Sequence, residues 1–336
     1  MKKSILFLTL VLLIFGCKDS KENTKEDKAK ILNSAESAVS KTLELDSLIN
    51  NSPNNPDLYY QRSKVFFDIK NLPKALIDIL TAINLNNKNA VYYLLGGDIY
   101  IAMGQGNDAI KLMSEAISNI PNNEALYTRS IEYSFYMKEN KAALNFANDL
   151  LRINKNNPDA YFFKGLIFKT SDVNKAISSF QTCVEQDPTY YNAYMQLGTL
   201  FSEKNDELAI KYFDNALKLQ PESREAIYGK GYFYQQRKQY ELAREEYKKM
   251  IIADRRDFQA LFNTAHCFLA QDSIAKAEKH FDMALDVKPD YVDAIYMLGQ
   301  IAEIKGDIPN AKIHYQNALK LLPNNETILE SLNKLK

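Results

Sequence analysis

The chain contains no tryptophan, only three cysteines, and no surplus of either charge. Each shortage excludes something. Its 42 basic and 42 acidic side chains cancel. It therefore lacks the broad basic face that displaces counterions from nucleic acid, and no nucleic-acid partner is expected. No C-x-x-C pair or Cys/His cluster occurs, which argues against a structural zinc site. No Ser/His/Asp set, phosphate-binding loop or H-E-x-x-H motif appears, so neither a cofactor nor catalysis is expected. The three histidines are His266, His280 and His314. His280 and His314 hold equivalent places one period apart, which favours a structural or surface role over metal binding. Long apolar runs are missing too. The single one, Ile5 to Gly16, is well short of the roughly 20 residues that span a bilayer. What remains is a chain of 336 residues, 46% hydrophobic and 25% charged. That is enough for two compact domains or one long array.

The first residues read MKKSILFLTLVLLIFGCKDSKEN. Two lysines precede a short apolar core, as in a secretory signal peptide. The end of that core, Ile14-Phe15-Gly16-Cys17, resembles the bacterial lipobox. The resemblance implies cleavage after residue 16 and a lipid on Cys17. Residues 17–28 are charged and carry no core-forming residue, so they read as a flexible tether. Lys18 follows the cysteine where aspartate would mark inner-membrane retention, which points to the outer membrane. The Lys18-Asp19 pair with Glu22 resembles surface-export signals of Bacteroidota lipoproteins, so both the periplasmic and the surface face stay open.

Downstream the sequence repeats. In YNAYMQLGTLFSEKNDELAIKYFDNALKLQP, starting at Tyr191, the marked places are Tyr194, Leu197-Gly198, Phe201, Ala209, Phe213, Ala216 and Pro221. Eight units share this phase: 56–89, 90–123, 124–157, 158–190, 191–223, 224–257, 258–291 and 292–325. Each places alanine at Ala75, Ala109, Ala143, Ala176, Ala209, Ala243, Ala277 or Ala311. Seven residues on come Ala82, Ala116, Leu150, Cys183, Ala216, Met250, Ala284 and Ala318. Aromatics stand between them at Phe180, Phe213, Tyr247, Phe281 and Tyr315. Residues at i, i+4 and i+7 share one helix face. Small residues on one helix admit large ones from the next, and Gly97, Gly165, Gly198, Gly231 and Gly299 mark the close approaches. Cys183 and Cys267 fall in helices of different units, so no disulfide between them is expected.

The pattern resembles the tetratricopeptide repeat (TPR), a helix-turn-helix unit of 34 residues. The resemblance implies an all-α solenoid, a right-handed superhelix of about eight repeats with terminal capping helices. Residues 29–55 read as a helical N-terminal cap, their last part like the second helix of a degenerate repeat. Residues 326–336 read as a C-terminal capping helix. The unit from Glu124 departs most, with Ile131, Ser134, Ala147 and Leu150 at places usually held by other types. It is either a volume swap or a weak point.

In the family, first helices line the concave face. The carried-over places give a candidate groove with Tyr60, Phe67, Phe135, Phe162, Tyr228, Tyr232, Phe262, His266 and Tyr296. Their rings could anchor a peptide or merely pack between helices. The run Tyr228, Tyr232, Phe262, His266, Tyr296 is favoured, because three neighbouring units share it. TPR domains that grip chaperone C-termini use a Lys/Asn/Arg clamp, whereas the corresponding places here hold Lys64, Asp98, Glu132 and Leu166. Carboxylate-clamp binding is therefore not expected. The implied function is a lipid-anchored scaffold or adaptor for protein or peptide partners of the cell envelope, serving outer-membrane, secretion, pilus or cell-wall machinery. The alternative is an accessory lipoprotein that binds glycans or small ligands for an uptake system. Nothing in the pattern specifies an oligomeric state.

Overall fold

The computed structural model describes residues 25–335, with side chains from residue 37. The segment read as a signal peptide, and Cys17, lie outside the described residues. Among the described residues there are eighteen helices and no strand. The chain divides into two compact units, the first ending at Tyr133 and the second beginning at Ser134. The first holds α1 (Lys25–Asn51), α2 (Pro56–Asp68), α3 (Leu72–Leu85), α4 (Ala90–Ala102), α5 (Gly106–Asn119) and most of α6 (Glu124–Tyr136). The second continues with α7 (Asn140–Ile153), α8 (Pro158–Phe168), α9 (Val173–Gln186), α10 (Tyr191–Glu203), α11 (Leu208–Leu219) and α12 (Arg224–Gln236). It closes with α13 (Tyr240–Ala253), α14 (Phe258–Leu269), α15 (Ile274–Val287), α16 (Val292–Ile304), α17 (Ile308–Leu321) and α18 (Glu326–Lys334).

The even-numbered helices α2 to α16 start at Pro56, Ala90, Glu124, Pro158, Tyr191, Arg224, Phe258 and Val292, the residues that open the eight sequence units. Local chemistry sets these starts. The side chains of Asn55, Asn157, Ser223 and Asp257 each accept a hydrogen bond from a backbone N–H in the first turn. Such caps contribute about 1 kcal/mol each. Pro56 and Pro158 follow their caps at a place where no N–H is needed.

The turns inside the hairpins are equally regular. Lys70, Gly104, Lys138, Asn205, Lys238, Asp272 and Gly306 all have positive φ and occupy the same place in seven hairpins. The next residue's N–H reaches back five residues, as in Asn71 to the Phe66 carbonyl at 2.8 Å and Gln239 to the Tyr234 carbonyl at 2.9 Å. This is the Schellman closure. The hairpin from Pro158 has no such residue, and its first helix is correspondingly short at 11 residues. The hairpin from Tyr191 keeps its left-handed Asn205 but shortens α11 to 12 residues. Units 158–190 and 191–223 are each one residue short of 34, and the loss is thus absorbed in different places.

Packing follows the periodic residues. The eight alanines from Ala75 to Ala311 are all 0% exposed. Glycines on the first helices make room for rings on the second. A Cβ at Gly165 would meet Phe180, one at Gly198 would meet Phe213, and those at Gly231 and Gly299 would meet Tyr247 and Tyr315. The hairpin from Ala90 has Met113 in place of a ring, and Tyr133 of α6 fills the space against Gly97 instead.

In the first unit α1 packs on α2, burying Leu45 and Ile49. Arg62 ties the two ends of this layer together, 2.6 Å from Asp46 on α1 and 2.7 Å from Asp78 on α3. The C-terminal half of α1 thus takes the place of a second helix, as a degenerate repeat would. The helix begins at Lys25, which corrects the tether boundary of residues 17–28. The stretch KEDKAK is built from helix-favouring residues with acid–base pairs three and four apart, so charge alone does not keep it extended. In the second unit α18 packs Ile328 against Tyr315 and Ala318 and leaves Glu330, Asn333 and Lys334 exposed. In the hairpin from Glu124, the residues Ile131, Ser134, Ala147 and Leu150 are all buried. Among the described residues the Ser134 hydroxyl has no hydrogen-bond partner. The divide between the two units falls inside this least regular hairpin. Cys183 on α9 and Cys267 on α14 are free and buried. Burial pushes both thiols up, Cys267 to about 12, which makes them poor nucleophiles.

Candidate protein-binding face

The nine candidate residues all lie on first helices, and eight are half-buried while Tyr232 is exposed. In the first unit Tyr60 lies 5.4 Å from the Tyr92 ring, with the Lys64 ammonium 5.7 Å from its own centroid. Phe67 packs on the core of α2 to α5 and has the Lys70 ammonium 5.4 Å from its ring. Asp98 accepts the Tyr133 hydroxyl at 2.7 Å and lies 3.4 Å from Arg129, which also meets Glu132 at 3.3 Å. The two acidic clamp places are therefore engaged by an arginine and a phenol, an arrangement suited to holding negative charge, not to receiving a carboxylate.

In the second unit the rings form two groups. Phe135 and Phe162 both pack edge-on against Phe163, at 5.8 and 5.7 Å. Phe162 also leans on Phe180 of its own hairpin and on Tyr190 at 4.9 Å. The second group runs along α12, α14 and α16. Tyr228 and Tyr232 are stacked, 6.1 Å apart and 9° from parallel, and Tyr228 also touches Tyr247. Phe262 lies 5.3 Å from Phe281 and 5.0 Å from Tyr291. Tyr296 rests on Tyr315 at 5.5 Å, and its hydroxyl meets Ser331 at 3.2 Å and Gln300 at 3.1 Å. His266 faces Gln235 at 3.4 Å, joining α12 to α14. Burial lowers the His266 pKa and so favours the neutral ring.

Packing and display are thus not alternatives here. Phe162, Tyr228, Phe262 and Tyr296 each rest on a second-helix ring, at Phe180, Tyr247, Phe281 and Tyr315, and keep part of their surface accessible. Tyr232, 42% exposed, is the least covered. Two participants escaped sequence reasoning. Tyr190 and Tyr291 stand at the N-cap place, where other hairpins carry Asn, Ser or Asp, and neither makes a side-chain cap bond. Their rings instead cover Phe162 and Phe262 of the preceding hairpin. The clue was a tyrosine in a column of capping residues. Of the histidines outside the face, His280 sets its Nδ1 2.8 Å from the Lys276 carbonyl. Among the described residues no group of three or more His, Cys, Asp or Glu side chains is placed to hold a metal ion.

Helical hairpins in regular succession, with aromatic and polar side chains along their first helices, define the α-solenoid class. The hairpins are similar to tetratricopeptide repeats. The tetratricopeptide repeat family model matches residues 205–258, 239–290 and 262–326. Among solved structures, the C-terminal part of a TPR repeat-containing protein from Cytophaga hutchinsonii superposes with a TM-score of 0.61. It is 20% identical, and the match covers 71% of this chain and 99% of that one. PilF of Pseudomonas aeruginosa gives a TM-score of 0.50 at 16% identity, over 63% of this chain and 97% of that one. Among curated proteins, Hsp70-Hsp90 organizing protein 1 of Glycine max is 24% identical over 242 residues, 70% of this chain and 41% of the relative. Human tetratricopeptide repeat protein 13 is 28% identical over 139 residues, 41% of this chain and 16% of the relative. The chain therefore spans less than half the length of these curated relatives.

Proposed function

We propose that the chain is a non-catalytic, lipid-anchored scaffold that holds partner proteins at the cell envelope. The grip is on an extended peptide segment laid along the first helices of hairpins 224–325. The observation that carries this reading is the row Tyr228, Tyr232, Phe262, His266 and Tyr296. Tyr228, Phe262 and Tyr296 are seated on second-helix rings, Tyr232 is stacked on Tyr228 and His266 meets Gln235, yet all five stay accessible, which is how preorganised anchors are held. The name of one relative, an organizing protein for Hsp70 and Hsp90, fits an adaptor role. The lipobox-like Ile14-Phe15-Gly16-Cys17 supports the anchor. A glycan or small-ligand site would need polar groups converging on an enclosed pocket. Two concavities elsewhere on the second unit, along Glu207–Lys218 and around Gln220–Glu225, are shallow and open and do not touch this row.

Two experiments test the halves separately. Tyr232→Ser should leave the circular-dichroism melt unchanged but lose the partner that native protein cross-links in intact cells. Retention of every partner by a Tyr228→Ser/Tyr232→Ser variant would overturn the peptide-binding reading. Cys17→Ser should abolish labelling with radioactive palmitate and move the protein out of the membrane fraction. Unchanged fractionation would overturn the anchor.

A further inference from the structure

We propose that this face presents a built hydrogen-bond donor for a peptide main-chain carbonyl, the Nε2–H of His266, held in that tautomer by Gln235 and Tyr247. The proposal rests on the peptide-binding reading above.

Three side chains from three successive helices form one chain of contacts. The Tyr247 hydroxyl on α13 lies 2.8 Å from Gln235 Oε1 on α12, and Gln235 Nε2 lies 3.4 Å from His266 Nδ1 on α14. The direction of the chain is set at its buried end. Tyr247 is fully buried, and Gln235 is its one hydrogen-bond partner among the described residues. A buried phenol must place its proton, so it donates. The hairpin from Val292 repeats the arrangement, with the Tyr315 hydroxyl on Glu303 at the same separation of 12 residues. A carboxylate there can only accept, so the tyrosine at this place is a donor.

The consequence passes along the chain. With Gln235 Oε1 turned to Tyr247, the amide NH2 faces His266, and Nδ1 must accept. A neutral imidazole that accepts at Nδ1 carries its proton on Nε2. Nε2 sits on the side of the ring away from Gln235, and no side chain or backbone carbonyl among the described residues accepts from it. His266 is half-buried, one turn beyond Phe262 on α14, while Tyr232 lies three residues before Gln235 on α12. A strand-like peptide crossing here would meet a ring, a neutral donor and a second ring. A donor matched to main-chain carbonyls adds affinity without demanding a particular side chain. The other hairpins with a second-helix ring lack the relay: where that ring is phenylalanine, at Phe180, Phe213 and Phe281, the first-helix places are Lys169, Ser202 and Leu269.

The test uses full-length protein and peptides selected from a random phage-displayed library, counter-selected on the Tyr232→Ser variant. Tyr247→Phe removes one oxygen at a place where phenylalanine is native in other hairpins, so the fold is kept. Nitrogen-15 shifts of His266 should report the Nε2–H tautomer in native protein and a mixture in Tyr247→Phe. The selected peptides should bind Tyr247→Phe and His266→Phe about 2- to 10-fold more weakly. Replacing one peptide amide by an ester, a poorer acceptor, should weaken binding to native protein and not to His266→Phe. An Nδ1–H tautomer in native protein would overturn the inference. So would peptides that need Tyr232 but bind Tyr247→Phe and His266→Phe undiminished, and in that case the binding face itself stands. Failure to select any Tyr232-dependent peptide removes the face and the donor together.

Discussion

Replacing Gly165 with alanine tests whether glycine sets the spacing of the hairpin that carries Phe162. A Cβ built at Gly165 falls 2.5, 2.6 and 2.7 Å from Cε1, Cδ1 and Cζ of Phe180. Carbon atoms pack at about 3.5–4.0 Å, so the ring would have to retreat by about 1 Å. It has little room, because Phe180 is 0% exposed and Phe162 stands 5.7 Å away. Overpacking of this kind costs about 1–3 kcal/mol. Alanine also gains about 1 kcal/mol over glycine inside a helix, so the net destabilisation is ~0–2 kcal/mol. That range is narrow, and a cycle sharpens it. In a Phe180→Val background the ring is gone, and Gly165→Ala should instead stabilise by about 1 kcal/mol. The coupling between the two sites is then the overpacking energy, about 1–3 kcal/mol. Repeat arrays open locally and do not unfold in one step, so the readout is hydrogen exchange of α8 and α9 amides in the full chain. Equal effects in both backgrounds would refute the argument, since Phe180 would then not be the obstacle.

Lys238 has φ of 60° at the turn between α12 and α13. Lys238→Gly relieves the left-handed conformation and should raise stability by up to about 1 kcal/mol, seen as slower exchange in those helices. A loss would mean the lysine side chain contributes more than its backbone costs. Ser134→Ala deletes a buried hydroxyl without a partner among the described residues, so it should be neutral or stabilising by up to about 1 kcal/mol, read as unchanged or slower hydrogen exchange in α6 and α7. His266 carries a pKa lowered by burial, so below the ordinary value of 6.5 the unfolded chain takes up more protons than the folded one. Its contribution is fully present above that value and is lost as pH falls below it. The melting temperature should therefore drop more in native protein than in His266→Phe between about pH 7.5 and 5.5, and parallel curves would contradict it.

The hairpins were legible in the sequence because each alanine and glycine must satisfy a steric demand that recurs once per period. Ala243 cannot enlarge without forcing α13 off its neighbours, so it repeats at a fixed place. What surrounds a ring was less legible. Helical phase assigns Tyr228, Phe262 and Tyr296 to one face, but how far they sink depends on how one hairpin is turned against the next. That turn brings Tyr190 and Tyr291 over rings of the preceding hairpin, and it appears in the sequence only as missing capping residues. Tyr133 illustrates the same limit. Its phase marks it as a core residue of α6, whereas the space it fills, beside Gly97, was made by Met113 being slimmer than a ring. The start of α1 at Lys25 was obscured for another reason, since a run of charge is compatible with both a helix and a tether.

The choice between phenylalanine and tyrosine on the second helices links the core to the binding face. Each such ring lies under a first-helix residue of the same hairpin, and a hydroxyl on it needs an acceptor twelve residues earlier. Tyr247 finds Gln235 and Tyr315 finds Glu303. Phe281, without a hydroxyl, sits with Leu269 at that place. A buried phenol left without its acceptor costs about 1–3 kcal/mol, which is enough to hold the acceptor's rotamer. The first-helix side chain is thereby fixed from beneath, before any partner arrives. Fixing it in advance lowers the ordering cost on binding. On this argument Tyr247 and Tyr315 act on the partner without touching it. Tyr315→Phe should free Glu303 to reorient, and its side-chain three-bond couplings should average toward a mixture of rotamers by NMR. Couplings unchanged from the native protein would show that the phenol does not hold it.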